Sequence, residues 1–366
     1  MTNEISVTKK DIDEIKSLRM PESIRTPGRT WTRYPDIDLE DLQNLEQIDP
    51  DIHTEGDIEV FKGPEAVEEA GDKLFDAIKT NEDKLNAIHA TYLNSLIFVR
   101  VNGKAELSVV YDEDQPVLSH LVVETEKNAE ANITEEFRGD PEIQTSFNEF
   151  YLGDNSTVEY GAIESIETGL SYSRRKAITG RDSKINWLNS QFGGDLNRTK
   201  IETILKGNNS STEKTGVWYP VDDQHIDISL HVRHIGDDTK CDMDSRAVVD
   251  DRSRSVYEGL QKVGEGAEDT KSFQDEKALM LSDNAEADAS PKLMIENPDV
   301  EASHAASAGN VPKDQLHYME SRGISANSAQ KLVVKGFFEP VMEQIELPEL
   351  KEKIRNEVQK KLDRTN

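Results

Sequence analysis

Hydrophobic and polar residues alternate through the middle of the chain in short segments that are typical of β-strands. In the last such segment, Ile226, Ile228, Leu230 and Val232 fall on one face, and polar residues fall on the other. A strand with this period of two buries one face and keeps the other nearer to solvent. We therefore predict strands over residues 96–111, 118–125, 147–153, 157–163 and 226–235.

A four-residue motif repeats between these strands. It reads GDNS from residue 153, GRDS from 180, GNNS from 207 and GDDT from 236, so successive copies start 27, 27 and 29 residues apart. Looser copies are KNAE from 127 and GEGAED from 264. Glycine tolerates a positive φ, and Asn, Asp and Ser side chains bond to nearby backbone, so we predict a turn at each copy.

The regular spacing of these turns favours a stacked coil over other β folds. No helical segment of about 10 to 15 residues separates the strands, although a doubly wound sheet would need one at each crossover. We predict a mainly β protein, a parallel β-helix of roughly seven coils, over residues 92–302. A β-sandwich whose turns are similar by accident is the alternative.

The segments on either side of this core have helical spacing. Residues 1–91 are predicted to form an N-terminal region of helical and extended arms. Within it, Val67, Leu74, Ile78 and Leu85 recur at near-helical intervals between residues 64 and 93, and a proline-rich extended stretch at 20–36 precedes them. The N-terminal region is expected to cap the coil.

Residues 303–366 are predicted to form a helical C-terminal region. Pro312 and Asp314 mark a helix start, Gly323 marks its end and Ser325 caps the next helix, which predicts helices over 312–322 and 326–338. A third helix is predicted from Pro348, with one apolar stripe that recurs every fourth residue: Leu350, Ile354, Val358 and Leu362.

The composition narrows the possible partners. The chain has 72 acidic and 43 basic residues and a formal charge of −29, which would repel nucleic acid and anionic membrane surfaces. Only 35% of its residues are apolar, which favours a thin, elongated core. No leader-like start and no apolar run long enough to span a bilayer is present, so we expect a soluble, cytoplasmic protein.

Several catalytic signatures are missing from the sequence. It contains no Gly-rich phosphate loop, no dinucleotide fingerprint, no G-x-S-x-G elbow and no HExxH motif, so the chain itself is not expected to bind or hydrolyse a nucleotide. The single cysteine, Cys241, cannot form an internal disulfide. Asp242 and Asp244 beside it would raise its pKa, so packing is its favoured role at this point.

Acidic pairs and clustered histidines suggest other chemistry. Carboxylates on one face of a β-helix can act on acidic polysaccharides, but adjacent strand residues point to opposite faces. We interpret the pairs at 222–223, 237–238 and 250–251 as turn residues, with a polysaccharide lyase or hydrolase as the alternative function. His225, His231 and His234 do not converge along a strand, and we interpret them as structural.

His304 is the histidine with the most unusual surroundings. It lies in the stretch SHAASAGN at 303–310, among small or polar neighbours, where the β pattern gives way to helical spacing. Small side chains would let another chain approach closely. The spacing leaves two interpretations open: an exposed ligand at an interface, or a capping histidine bonded to a backbone carbonyl.

Three segments between residues 215 and 345 resemble the SufB/SufD family, the scaffold subunits of SUF iron–sulfur cluster assembly. They are DQHIDISLHVRHIGDDTKCDMDSRAVVDDRSRSVYEG (223–259), PKLMIENPDVEASHAASAGNV (291–311) and DQLHYMESRGISANSAQKLVVKGFF (314–338). The resemblance implies a right-handed parallel β-helix with helical N-terminal and C-terminal regions. It also implies a scaffold without enzymatic activity that holds a transient iron–sulfur cluster.

The resemblance further implies partners and their surfaces. The C-terminal helical region would dock a SufC-like ABC-type ATPase through residues 312–347, which include Asp314, Gln315, Leu316, Tyr318, Arg322, Gly323 and Phe337. A second SufB/SufD-like chain would complete a homodimer or a heterodimer. A purely structural β-helix adaptor is the remaining alternative.

The resemblance also assigns roles to single residues of this chain, by their position in the family's motifs. His304 matches the functional histidine of SufD-type chains at the subunit interface and is the candidate metal ligand. Gln274 stands where SufB-type chains carry a cysteine, and Ala305 stands where they carry a glutamate. These two departures indicate a SufD-like subunit or a divergent archaeal-type homodimer. In a homodimer, Cys241 would be a second candidate cluster ligand.

Overall fold

The alternating segments form strands that stack in parallel into a solenoid. In this computed structural model the structure describes residues 10, 12–24 and 32–364, so parts of the predicted N-terminal arm, at 1–9, 11 and 25–31, lie outside the described residues. Within the described residues the strands are β1 (Asp51–Lys62), β2 (Ser95–Asp112), β3 (Val117–Thr125), β4 (Glu130–Arg138), β5 (Ile143–Leu152), β6 (Thr157–Glu164), β7 (Leu170–Ile178), β8 (Lys184–Gln191), β9 (Leu196–Leu205), β10 (Ser211–Trp218), β11 (His225–His234), β12 (Lys240–Val249), β13 (Arg254–Val263), β14 (Thr270–Met280), β15 (Glu286–Ile295) and β16 (Val300–Asn310).

The strand order explains the shape of the core. Each turn carries two strands, with β3 and the later odd-numbered strands on one side and β4 and the later even-numbered strands on the other. The 18-residue strand β2 pairs with both β3 and β4 and so forms the first turn by itself. The result is a parallel solenoid of about eight turns, which confirms the predicted mainly β fold.

Left-handed residues at a fixed position confirm that the repeated motif makes the turns. The third residue of each motif has a φ near 57°, as at Asn155, Asp182, Asn209 and Asp238, where only Gly, Asn and Asp are tolerated well. Neighbouring turns are also linked, because the Asn155 amide donates to Asn128 Oδ1 at 2.7 Å and the Asn209 amide to Asp182 Oδ1 at 2.8 Å. Local chemistry therefore sets the period of the coil.

The interior follows the alternation of the strands. Ile226, Ile228, Leu230 and Val232 are all buried in one continuous core that runs through the solenoid. On the opposite face of the same strand, Asp227 is also buried. That outer face is partly covered because the N-terminal region packs along the odd-numbered side.

The helices lie in the two terminal regions, as predicted. Among the described residues they are α1 (Ile12–Ser17), α2 (Gly63–Ala70), a 3₁₀ turn (Gly71–Lys73), α3 (Lys84–Tyr92), α4 (Lys313–Ser321), α5 (Ala326–Glu343) and α6 (Pro348–Asp363). None of them is long and apolar enough to cross a membrane.

The N-terminal region differs from its prediction in two ways. The helical spacing within 64–93 corresponds to two short helices and not to continuous helix, because Gly71 takes a positive φ of 50° and ends the first. The loop that follows is held against the solenoid by hydrogen bonds. The backbone N–H groups of Phe75, Ala77 and Ile78 donate to the buried Glu149 carboxylate. Strand β1, which pairs antiparallel with β2, was not predicted at all.

The C-terminal helices fold back onto the solenoid. The predicted stripe of Leu350, Ile354, Val358 and Leu362 is buried against the outer face of the even-numbered strands. Gly161 of β6 makes room for it, because an added Cβ would overlap the Leu350 side chain. Basic residues of α6 pair with acids of the solenoid, as in the contacts Lys353 to Glu136 and Arg364 to Asp222.

Candidate functional site

The last turn of the solenoid has two free strand edges. Strands β15 and β16 end the sheet, and each pairs on one side only. Strand β16 runs to Asn310, so SHAASAGN is part of the final strand, and the first C-terminal helix begins beyond it at Lys313. Nearly all of β16 is exposed, and Met294 and Ile295 of β15 expose 49% and 43% of their surface. An unpaired edge of this length is a template for another chain.

His304 stands on this last strand directly beside Gln274. The two are register partners in the parallel pair of β14 and β16, and such partners point to the same face of a sheet. The next register partners along the solenoid, on the two preceding turns, are Met243 and Lys214. His304 is exposed because no further turn covers it, whereas Gln274 is buried. The candidate ligand His304 and the position where SufB-type chains carry a cysteine in the resemblance, Gln274, are therefore neighbours.

Buried polar atoms without partners lie beneath His304. Neither amide atom of Gln274 or Gln261, nor Glu276 Oε2, nor the Tyr257 hydroxyl, has a hydrogen-bond partner among the described residues. Gly259 makes space for this group, because an added Cβ would overlap the Gln274 amide. Leaving a buried polar atom unpaired costs about 1–3 kcal/mol, so a cluster of them points to a role other than packing.

Glu276 is the acid of this cluster. Burial, aided by the neighbouring Asp275 and opposed by Arg246, raises its pKa to about 8. Its register partner on β16 is Ala306, whose small side chain leaves the end of the solenoid open above the carboxyl group. The carboxyl group is therefore mainly protonated near neutral pH and can donate a hydrogen bond or, on losing its proton, bind a cation.

Cys241 lies deeper in the same interior. It belongs to β12, with β14 between it and the last strand, and only 2% of its surface is exposed. Burial raises the pKa of its thiol to about 12, and it also lowers the pKa of the nearby Lys214 ammonium to about 7. The thiol of Cys241 is therefore protonated near neutral pH and covered from the surface, and its role as a second cluster ligand stays a prediction.

The arrangement offers iron ligands but not a complete set. Imidazole nitrogen and carboxylate oxygen both bind iron. Across the part of the chain that the structure describes, no group of three or more His, Cys, Asp and Glu side chains is placed to hold a metal ion. A cluster at this end would need further ligands from a second chain at the free edge.

The residues predicted to dock an ATPase lie mainly on one exposed helix. Helix α4 has no buried residue, and Tyr318 on it exposes 60% of its surface, with the Arg322 guanidinium 5.4 Å from its ring. Asp314, Gln315 and Gly323 are exposed and Leu316 is half-buried. Phe337 differs, because it is half-buried against the solenoid with Arg246 at 5.7 Å from its ring.

The other candidate residues have structural roles. His225, His231 and His234 bond to Asp227, Glu258 and Thr239 at 2.7, 2.9 and 2.8 Å respectively, as the structural interpretation predicts. Residues 222–223, 237–238 and 250–251 lie at the bends between strands, and one residue of each pair has a positive φ: Asp222, Asp238 and Asp251.

Sequence reasoning missed the polar interior beneath His304. The signal was present, because Ser272, Gln274 and Glu276 alternate along β14 at inward positions that other strands fill with apolar residues. Only the register with β16 shows that these side chains lie beneath the strand that carries His304. Lys214, fully inside the solenoid, was missed for the same reason.

Comparisons with known proteins identify relatives of this chain. Residues 108–337 match the family described as SUF system FeS cluster assembly, SufBD core domain. The iron–sulfur cluster assembly protein SufD of Bacillus subtilis is 30% identical over 300 residues, which cover 78% of this chain and 69% of that protein. A SufBD family protein of Mycobacterium tuberculosis is 28% identical over 277 residues, covering 73% and 68%, and one of Pyrococcus horikoshii is 26% identical over 298 residues, covering 78% and 66%. The chain belongs to the SufB/SufD family of iron–sulfur cluster assembly proteins.

Proposed function

We propose that this chain is a non-enzymatic scaffold subunit on which a transient iron–sulfur cluster is assembled. The observation that carries the proposal is His304, exposed on a free edge strand directly beside a buried, unpartnered Gln274. The nascent cluster is the cargo of this site and not a resident cofactor. The proposal rests on family membership together with this geometry.

A second SufB/SufD-like chain is proposed to join at the last turn. The free edges of β15 and β16 supply unpaired backbone N–H and C=O groups, which a partner strand can bond. The exposed Met294 and Ile295 add apolar area to the same end. The partner is either a second copy or a SufB-like chain, and it would supply the thiolates that this end lacks.

Helix α4 is proposed to dock a SufC-like ABC-type ATPase. Its exposed Tyr318 and Arg322 combine an aromatic ring with a guanidinium group, and both residue types are enriched at the centres of protein interfaces. The helix leads directly from β16 into α5, which packs on the solenoid. Movement of a docked ATPase would therefore be transmitted to the strand that carries His304.

Gel filtration after co-expression with the cognate ATPase tests the docking surface. The Tyr318→Asp variant is expected to lose the complex, because it places a charge in the contact. Ile235→Asp is the matched control, since Ile235 is also an exposed apolar residue, at 42%, but lies at a turn of the solenoid. Loss of the complex in both variants, or in neither, would contradict docking through α4.

Sedimentation velocity tests the proposed joining of chains at the last turn. The paired changes Met294→Lys and Ile295→Lys are expected to dissociate the dimer, alone or with a SufB-like chain, because they place charges beside the free edge. Ile235→Lys again serves as the control. A dimer that survives the paired changes would move the interface elsewhere.

A further inference from the structure

A cavity of about 650 Å³ lies on the outer face of the odd-numbered strands. It is lined by residues of β7, β9, β11, β13 and β15 and by the crossing segment, residues 19–24 of the N-terminal region. His304 belongs to the opposite, inward face of the sheet. The cavity is therefore separate from the proposed assembly site, and a proposal about it does not depend on that function.

Five cations line this cavity, and three of them face it from the adjacent strands β7 and β9. Of the other two, Arg19 is exposed on the crossing segment and Lys292 of β15 pairs with Glu258. Arg174 of β7 and Lys200 of β9 are register partners, and Arg198 lies two residues before Lys200 on the same face. Arg174 is balanced, because its guanidinium pairs with Glu82 at 2.7 Å and lies 3.7 Å from Asp83. Four acids also line the cavity, Glu22, Glu82, Asp83 and Glu258, so cations are in slight excess there although the chain carries a net charge of −29.

The other two cations on these strands, Arg198 and Lys200, have no direct ion pair, and the carboxylates of Asp227 and Glu202 act on them only from a longer distance. No carboxylate oxygen of the described residues lies within 4 Å of the Lys200 ammonium or the Arg198 guanidinium. Arg198 is 7% exposed and donates only to neutral oxygens, the nearest being Ser229 Oγ at 3.0 Å. Lys200 is half-buried, and burial together with the charge of Arg174 lowers its pKa. A bound anion would stabilise the positive charges of these two side chains.

We propose that the cavity binds a small phosphate ester, with its phosphate between Lys200 and Arg198. A phosphate monoester carries a charge of about −1.5 to −2 near pH 7, which matches two cations without a direct ion pair better than a single carboxylate does. Arginine supplies paired donors to the phosphate oxygens and lysine supplies a point charge. The volume lies within the range of small-molecule pockets, and the apolar side chains of Met20 and Ile24 line the space beside the cations.

Calorimetric titration of the full chain with ribose 5-phosphate tests the proposal, with inorganic phosphate as a second ligand and sodium chloride as the blank at equal ionic strength. Saturable binding of the ester is expected, with inorganic phosphate weaker. Lys200→Gln is expected to weaken the binding of the ester at least tenfold. Lys240→Gln is the matched control, because Lys240 is an exposed strand lysine outside the cavity, and it is expected to bind as the wild type does.

Two further measurements separate loss of binding from loss of folding. Lys200→Gln removes a cation that faces two others, so its Tm without ligand is expected to equal or exceed that of the wild type. Lys200→Arg keeps the charge and is expected to retain binding. The proposal is overturned if the ester binds no better than chloride, or if Lys200→Gln folds normally and binds with unchanged affinity.

Discussion

The two ends of the solenoid are built differently. At the first end, β2 spans both sides of the turn and β1 pairs along it in antiparallel fashion. The interior there is apolar, with Val99, Val101 and Val109 fully buried. At the last end the free strands β15 and β16 stand over an interior of Gln261, Gln274 and other unpartnered polar groups.

The contrast shows which end of the solenoid is covered within the chain and which end is not. A solenoid buries its core only when each turn is covered by the next, so both ends need a cap. The first end carries its cap within the chain. The last end has none in the described residues and keeps costly polar atoms beneath its exposed strand, which is the arrangement expected where a second chain and a cargo complete the structure.

We call the first end of the solenoid the closed end and the last end the open end. Truncating a core aromatic at the closed end should have the largest effect on the free energy of unfolding. Phe137 is 1% exposed and stacks on Tyr111 with 5.0 Å between ring centres. Phe137→Ala is expected to cost about 3–5 kcal/mol of unfolding free energy in urea denaturation, because it removes apolar contacts and leaves a cavity. At the open end, Tyr257→Phe removes only an unpartnered hydroxyl and should cost nothing. Equal losses in the two variants would contradict the contrast between the ends.

The pH dependence of stability should report on the open end. The folded-state pKa of Glu276 is raised from 4.5 to about 8, so between these values the folded chain binds a proton that the unfolded chain does not. Stability therefore falls as the pH rises through this window, by at most about 1.4 kcal/mol per pH unit from this group. Glu276→Gln should remove that part of the slope, measured by urea denaturation from pH 5 to 8. The control Glu301→Gln, at an exposed position of β16, should keep the slope of the wild type. An unchanged slope in Glu276→Gln would contradict a raised pKa of the buried Glu276 carboxyl group.

Replacing Gln274 should change the free energy of unfolding by a smaller amount than Phe137→Ala does, and should raise it instead of lowering it. Gln274→Met keeps the side-chain length but removes two buried polar atoms without partners, so the isolated chain is expected to gain about 1 kcal/mol. Asn189→Leu is the control, since that amide is buried but bonded to Arg175 and Gln191, and its loss should destabilise. A loss of stability in Gln274→Met would mean that this amide has a partner after all.

The sequence reveals the local features of this molecule and misses the distant ones. The turn motifs predict the coil because each acts within four residues, as at Asn155 and Asn209. Strand β1 is invisible to such reasoning, because its pairing with β2 joins segments far apart in the chain. His304 could be singled out from its neighbours and from a family resemblance. Its position beside Gln274 could not, since it depends on the register between two turns.

The central claim is that the open end assembles an iron–sulfur cluster, and anaerobic reconstitution tests it most directly. The complex with the ATPase and the second scaffold chain is supplied with iron and sulfide, and bound cluster is read from visible absorption. His304→Ala is compared with His53→Ala, an exposed strand histidine at the closed end. The account predicts a several-fold loss of cluster in His304→Ala and none in His53→Ala. An equal yield of cluster in both variants and the wild type would contradict it.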